Sequence, residues 1–380
     1  MPRLFVEDYF YQQCKAGHRH CGDLWLVSRR EEATWVILAD GLGSGMPAKV
    51  SATLAAEYFL GLIQNGFTPG EAIKAALRTL RIARAKGSSW AAFLATRFSP
   101  DGEVLVYCYE SPPPLLLTLR GIAEIGFRPQ YWEGEVIQEG STHLRPYEAL
   151  LCFTDGVVNA GLSRSLPRGW GESGLKRFLT TSGLAKRGEI SRIPQAIIKE
   201  AAAISQHRPL DDLTAGVIFL RQPRVLQVLT GPPGKREHTA QVLDQFLKAE
   251  GTKAVCGGTT TSLLAKHLGV TPILHPGEFG APAYYEVPGI ALACEGAINL
   301  NRAYNTFEEP ELWDKAGYGA AHLLKLFAEA DEIYFWVGQA INPAHNNTLK
   351  PAGILSRQEA VAALAEKLKR AGKMVSIRPT

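Results

Sequence analysis

Four acidic positions in this chain share one placement. Gly22-Asp23, Asp40-Gly41, Asp155-Gly156 and Asp211-Asp212 each stand at one end of an apolar, strand-like run, beside a glycine or a second acid. A strand end puts a side chain on the rim of a sheet, and a glycine lets backbone or ligand come close. Carboxylates converging from four strands repel one another unless divalent cations sit between them. An all-oxygen set of this kind suits Mg2+ or Mn2+. Two such ions close together polarise a bridging water and clamp a phosphoryl oxygen. Taken singly, each pair also reads as a plain turn, as Asp101-Gly102 does. Their order and context are what favour chemistry.

The elements that must position them follow from local pattern. Trp35 to Ala39 is a short apolar run that ends at Asp40. A helix is expected from about Pro47 to Ile63, with Val50, Leu54, Tyr58 and Leu62 as its apolar stripe. Thr68, Pro69 and Glu71 form a capping box that opens a second helix, reaching about Ala85 and stopping near Gly87. Strands are expected over 91–98 and 103–109, joined by the turn Ser99-Pro100-Asp101-Gly102, and over 115–119, 149–154 and 214–220. Helices are expected over 173–180 and 194–204. Strands and helices grouped in blocks argue an α+β fold, with helices packed on antiparallel sheets.

Beyond Gln222-Pro223-Arg224 the rhythm changes. Strands over 225–229, 253–256, 290–294, 332–337 and 373–377 alternate with helices over 237–249, 260–268, 317–330 and 356–370. Ser356 to Glu359 is a second capping box, and Gly372 suits the position after the helix. A Pro/Gly-rich loop covers about 271–289. This alternation argues an α/β domain with a largely parallel sheet, covering residues 225–380.

The first 221 residues resemble a known family. Asp40-Gly41-Leu42-Gly43 looks like the Asp-Gly-Met-Gly motif of the bacterial stage II sporulation protein E phosphatases, a branch of the metal-dependent type 2C Ser/Thr protein phosphatases. Cys21-Gly22-Asp23 matches their Ser-Gly-Asp element, and Ser111 to Leu116 their glycine-and-proline turn. Thr154-Asp155-Gly156 matches their second Asp-Gly motif, and Asp211-Asp212-Leu213-Thr214 their closing motif. The resemblance implies a β-sandwich flanked by helices with two Mn2+ or Mg2+ ions at one rim. Asp40 would bridge the ions, the Gly41 carbonyl would bind the first, Asp155 and Asp211 the second, and Asp23 would help hold the first. The implied reaction is hydrolysis of phosphoserine or phosphothreonine by activated water, and the implied partner a phosphorylated regulator, often an anti-sigma-factor antagonist. Leu42 departs from the His of eukaryotic relatives and the Met usual in the bacterial branch, and Cys21 replaces the usual Ser. The competing reading is a catalytically silent scaffold whose C-terminal domain binds a nucleotide, phosphate or metabolite.

In the second half, Cys256-Gly257-Gly258-Thr259-Thr260-Thr261 follows a strand and opens a helix. Successive N–H groups with Thr hydroxyls at a helix start suit an anion, so Gly257, Gly258, Thr259 and Thr260 are candidate ligand-binding residues, and a Thr N-cap after a flexible turn accounts for the same pattern equally well. Glu295-Gly296, after another strand, is placed to line the same crevice. Thr230 to Arg236 fails the phosphate-loop spacing. The cluster Cys14, His18, His20, Cys21 fits no standard zinc spacing. The five histidines His238, His267, His275, His322 and His345 read as surface or satisfied core residues, and Trp336 as part of a core strand.

Composition sets the outer limits. With 380 residues and 46% hydrophobic content, the chain is long enough for two cores. Lys and Arg total 41 against 37 Asp and Glu. Of these, 25 basic and 22 acidic residues precede Gln222, and 16 and 15 follow it, so the halves carry +3 and +1. Neither is basic enough to argue for nucleic acid. No run of 18 apolar residues argues for a membrane span, and the start shows no signal-peptide core. Six scattered cysteines read as reduced thiols of a cytoplasmic protein. A homodimer is compatible with all of this.

Overall fold

The computed structural model describes residues 4–30, 32–85, 90–184, 189–277, 281–340 and 354–380. Contacts divide the chain into two units, Met1–Gln222 and Pro223–Thr380.

The first unit is built in the order β1 (Phe5–Gln13), β2 (Leu24–Arg29), β3 (Thr34–Gly41), α1 (Gly45–Gln64), α2 (Pro69–Ala85), β4 (Ala91–Phe98), β5 (Glu103–Tyr109), β6 (Leu115–Thr118), β7 (Gly121–Glu124), β8 (Phe127–Trp132), β9 (Glu135–His143), β10 (Ala149–Phe153), α3 (Asp155–Val158), α4 (Gly171–Ser182), α5 (Ile193–Ile204) and β11 (Leu213–Arg221). Two antiparallel sheets result, ordered β1-β11-β10-β6-β7 and β2-β3-β4-β5-β9-β8. They pack face to face. Strand β3 shows why its sequence is apolar without a break. Val36 and Leu38 point into the space between the sheets, meeting Leu150, Cys152 and Ile218. Their neighbours Trp35, Ile37 and Ala39 point outward under α1 and α2, against Ala52, Phe59, Ile73 and Leu77. A strand buried on both faces needs no polar alternation. In β10 the same split sends Leu151 and Phe153 outward to α4 and α5, where they meet Leu175, Leu179 and Ile197.

The hairpin at 99–102 and the capping box of α2 form as the sequence predicts. The Thr68 amide donates to Glu71 Oε2 at 2.8 Å, and the Glu71 amide to Thr68 Oγ1 at 3.4 Å. Gly87 lies outside the described residues. Strand β2 follows Gly22-Asp23 as expected, whereas β1 and β7 to β9 have no expected counterpart.

One expectation is overturned. Of the expected stripe, Val50, Leu54 and Tyr58 face solvent, with Leu54 65% exposed, and only Leu62 packs against the core. The buried face of α1 is Ala48, Ala52, Ala56, Phe59 and Leu60. The helix lies so close to β3 that a Cβ at Gly41 would stand 2.0 Å from the Ala48 carbonyl oxygen. Only small side chains fit such an approach, so the larger ones turn outward.

The second unit runs β12 (Val225–Thr230), α6 (Thr239–Lys248), β13 (Thr252–Cys256), α7 (Gly258–Leu268), β14 (Ile273–His275), β15 (Tyr284–Glu286), β16 (Leu292–Cys294), α8 (Gly296–Thr306), α9 (Tyr318–Glu329), β17 (Glu332–Val337), α10 (Arg357–Arg370) and β18 (Met374–Pro379). Its sheet is ordered β14-β15-β16-β13-β12-β17-β18. Strands β16, β13, β12, β17 and β18 are parallel, while β15 runs antiparallel to both β14 and β16. The unit is therefore mixed but mostly parallel. Helices α6 and α7 cover one face through Leu243, Phe246 and Leu264. Helices α8, α9 and α10 cover the other through Leu300, Phe327 and Leu364. The Pro/Gly-rich loop thus carries two short strands, and α8 went unread because its apolar positions are few. Trp336 is a core residue, edge-on to Phe246 at 6.2 Å, with its indole N–H donating to Gln227 at 2.8 Å.

Candidate functional site

Four strand ends meet at one rim of the sandwich. Asp40 is the penultimate residue of β3, and Asp23 directly precedes β2. Asp155 opens α3 straight after β10, and Asp211 lies just before β11. The glycines explain how these ends come together. A Cβ on Gly156 would stand 2.1 Å from the Asp212 carbonyl oxygen, and one on Gly22 would stand 2.7 Å from Ala48 Cβ. Gly41 and Gly156 thus mark places where two backbones touch, and Gly22 one where the Ala48 side chain comes nearly as close.

The electrostatics show the carboxylates acting on one another. Burial pushes Asp40 up to about 9, and the charges of Asp23, Asp155 and Asp211 add to the shift. A hydrogen bond with the Asp155 carboxyl raises it further. Burial likewise pushes Asp211 up, opposed by the Asp212 amide, which donates to Asp211 Oδ1 at 2.9 Å. Asp23 is almost fully buried, and that burial carries it to about 7. Hydroxyls hold it back. Thr214 donates to Asp23 Oδ2 at 2.5 Å and Thr154 at 3.0 Å. Asp155 accepts from Asn159 at 3.2 Å.

Asp212 does something different from its neighbour. Its two carboxylate oxygens accept the backbone amides of Lys15 and Gly22, each at 2.7 Å. It therefore ties the loop that carries Asp23 to the start of β11. Cys21, Asp23 and Asp212 have ligand atoms within 4.8 Å of one another. Yet Asp212 is saturated by amides, and burial pushes the Cys21 thiol up to about 12. That trio is tied together by hydrogen bonds to Lys15, Gly22 and Thr214, while the carboxylates expected as cation ligands, Asp23, Asp40, Asp155 and Asp211, act on one another through their charges. Hard oxygen donors crowded at one rim, with Asp23, Asp40 and Asp211 raised first by burial and then by neighbouring charge, are what a pair of Mg2+ or Mn2+ ions relieves. The residues present fit such ions.

Thr154, Thr214 and Asp212 lie in the matched motifs without a role assigned to them, and Lys49 lies outside them. Lys49, in the first turns of α1, donates to the Asp23 carbonyl at 2.5 Å. A signal existed for two of them: Asp212 and Thr214 flank Leu213, and alternate residues of a strand share a face. Leu42 is exposed beside the rim and offers no proton. His18 stands near the same loop, with Nε2 3.3 Å from Ser44 Oγ.

In the second unit, Gly257 caps α7 without any side-chain hydrogen bond, and Gly258, Thr259 and Thr260 form the helix's first turn. Glu295 is brought to them, its Oε1 2.7 Å from where a Cβ of Gly258 would lie. His345 lies outside the described residues. His267 pairs with Asp244 at 2.8 Å, as a surface histidine does.

Residues 30–221, just over half of the chain, match the family model described as Stage II sporulation protein E (SpoIIE). Among solved structures, the phosphatase domain of the cell fate determinant SpoIIE from Bacillus subtilis is similar at 15% identity. That match covers 58% of this chain and 95% of that one, with a TM-score of 0.46. The RsbU and RsbW domains of a Mycobacterium tuberculosis protein are similar at 18% identity, over 65% of this chain and 69% of that one, with a TM-score of 0.48. RsbX in complex with magnesium is similar at 16% identity, over 58% and 100%, with a TM-score of 0.40. No curated protein matches the chain.

Proposed function

This chain belongs to the stage II sporulation protein E (SpoIIE) family of serine/threonine phosphatases, and we propose that its carboxylate rim hydrolyses phosphoserine or phosphothreonine on a regulatory protein. The observation that carries this is the convergence of Asp23, Asp40, Asp155 and Asp211 on one face, each suited to a divalent cation and none in an ion pair with a lysine or arginine among the described residues, although the charge of Lys15 partly offsets that of Asp211. In this reading Asp40 and the Gly41 carbonyl would hold a first Mn2+ or Mg2+ ion, and Asp40, Asp155 and Asp211 would hold a second. Asp23 supports the first. Bound there, the ions supply an activated water and neutralise charge on the phosphoryl oxygens.

The chain's own groups divide the remaining work. Asp40 and Asp23 give up protons when the site loads, because their raised values fall beside positive charge. Thr154 and Thr214 keep the Asp23 carboxylate in one orientation. Cys21, with its thiol held protonated, is unfit as a nucleophile, which favours direct attack by water over a covalent intermediate. Leu42 has no proton to give, so the leaving alkoxide takes its proton from solvent or a neighbouring group. Phosphorylated anti-sigma-factor antagonists are the partner class that family membership favours. The C-terminal unit would regulate this activity. No helix among the described residues is long and apolar enough to cross a membrane.

The test is release of phosphate from a phosphoserine peptide in Mn2+, with Asp40→Asn and chelator as controls. Activity that vanishes in both supports the reading. Activity that persists in Asp40→Asn overturns it.

A further inference from the structure

Nothing in the phosphatase reading uses the glycine-and-threonine turn at 256–261. Its place in the second unit is informative. The chain starts in the middle of the parallel sheet at β12, steps outward to β13 and β16, then crosses back to β17 and β18 on the other side. The connections leaving β12 and β17 therefore depart to opposite faces, toward α6 and α10. A crevice opens at such a switch point, outside the carboxyl ends of the strands, and open α/β sheets hold ligands there.

Several groups converge on that edge. The strands end in Thr230-Gly231, Cys256-Gly257, Cys294-Glu295 and Val337-Gly338. Gly257, at φ +143°, brings its Cβ direction within 4.0 Å of the Gly231 amide. Arg357, the first residue of α10, lays its guanidinium over Gly231, where a Cβ would lie 1.2 Å from a guanidinium nitrogen. No carboxylate pairs with Arg357 among the described residues. Its one recorded hydrogen bond is a long one, 3.4 Å to the Gly338 carbonyl, and burial lowers its pKa. The first amides of α7 have no side-chain cap. Thr260 is 2% exposed, and its Oγ1 has no hydrogen-bond partner. That oxygen points back at the turn, 3.0 Å from the Gly257 Cβ position, closer than its own Cβ at 3.6 Å. A buried hydroxyl without a partner is costly to the free protein, so a ligand that supplies one is favoured. Three kinds of donor thus face one place: helix amides, a buried hydroxyl and a desolvated guanidinium. Glu295, held by the Tyr285 hydroxyl at 2.7 Å, is a carboxylate acceptor beside them.

We propose that this edge binds a small phosphorylated metabolite, its phosphate between the α7 N-terminus and Arg357 and a ligand hydroxyl donating to Glu295. The phosphate satisfies the amides, the Thr260 hydroxyl and the guanidinium together. Glu295 repels a second anionic group and selects a ligand whose other end carries hydroxyls. This site is independent of the carboxylate rim.

The full chain is titrated calorimetrically in chelator with ribose 5-phosphate and with inorganic phosphate. Saturable binding of both is expected, ribose 5-phosphate being tighter. Thr260→Val and Arg357→Gln should each weaken both by about tenfold or more, since each removes a hydrogen bond to a charged group. Melting temperature checks that both variants fold, and Thr260→Val removes no hydrogen bond of the free protein. Asp40→Asn should leave binding unchanged. Absence of binding, binding that survives both substitutions, or binding lost in Asp40→Asn overturns the site. Equal affinity for the two probes overturns the role given to Glu295.

Discussion

The rim of the first unit and the edge of the second use the same backbone device for opposite charges. Both lie at strand ends, and both depend on glycines whose neighbours leave little room for a side chain: Gly22, Gly41 and Gly156 in one, Gly231, Gly257 and Gly338 in the other. The rim then presents acceptors. Asp23, Asp40 and Asp211 are all held above the ordinary carboxylate value by burial and by one another. The edge presents donors, with amides, Thr260 and Arg357 lacking a matching anion. Glycine tells where a ligand can approach a backbone. The side chains around it decide the sign of the charge that comes.

The largest effect expected is on catalysis. Asp40→Asn should lower Mn2+-dependent phosphate release by roughly a thousandfold or more, because several kcal/mol of charge stabilisation depend on a loaded site. A loss of less than about tenfold would remove Asp40 from the centre of the comparison. Next come the glycines. Gly41→Ala should cost about 1–3 kcal/mol through overpacking against the Ala48 carbonyl. Gly61→Ala, on the same helix pair but with open space around it, should be neutral or stabilising by up to about 1 kcal/mol. Paired denaturant melts separate the two, and equal effects would show that close approach does not govern the rim.

A smaller effect concerns pH. In the absence of cations, Asp23 and Asp40 stay protonated in the fold up to about 7 and about 9, while the unfolded chain ionises near 3.8. The folded state then binds more protons, so stability falls as pH rises between those values. The melting temperature of chelated protein should drop through neutral pH. Asp40→Asn should flatten the upper part of that fall, and saturating Mn2+ should reverse it. A melting temperature that rises with pH in chelator would mean the rim carries no stored repulsion. The smallest effect belongs to the outer face of α1: Leu54→Ser should change stability by less than about 0.5 kcal/mol, whereas Phe59→Ala should cost about 3–5 kcal/mol. A large loss from Leu54→Ser would restore the stripe as core.

That stripe marks where reading the chain stopped short. Val50, Leu54 and Tyr58 are larger and more apolar than Ala48, Ala52 and Ala56, so periodicity chose the wrong face. The small face wins because β3 and Gly41 lie against it, and the helix alone carries no record of that distance. The support of Asp23 was hidden for a similar reason. Thr154 and Thr214 are 131 and 191 residues away from it, and only the packed sandwich sets their hydroxyls on its oxygen.

What the sequence by itself determined was local. The hairpin at 99–102, the capping boxes at Thr68–Glu71 and Ser356–Glu359 and the helix stop at Gly372 follow from torsions and hydrogen bonds spanning three or four residues. The carboxylates of the rim were legible because a short motif marks each one. Tertiary structure alone decided which face of α1 is buried, that Asp212 braces a loop rather than facing a cation, and that Arg357 and Glu295 flank the Gly257 turn. Each of these depends on backbones separated by many residues coming within a few ångströms, and that distance is fixed by packing rather than by any local pattern.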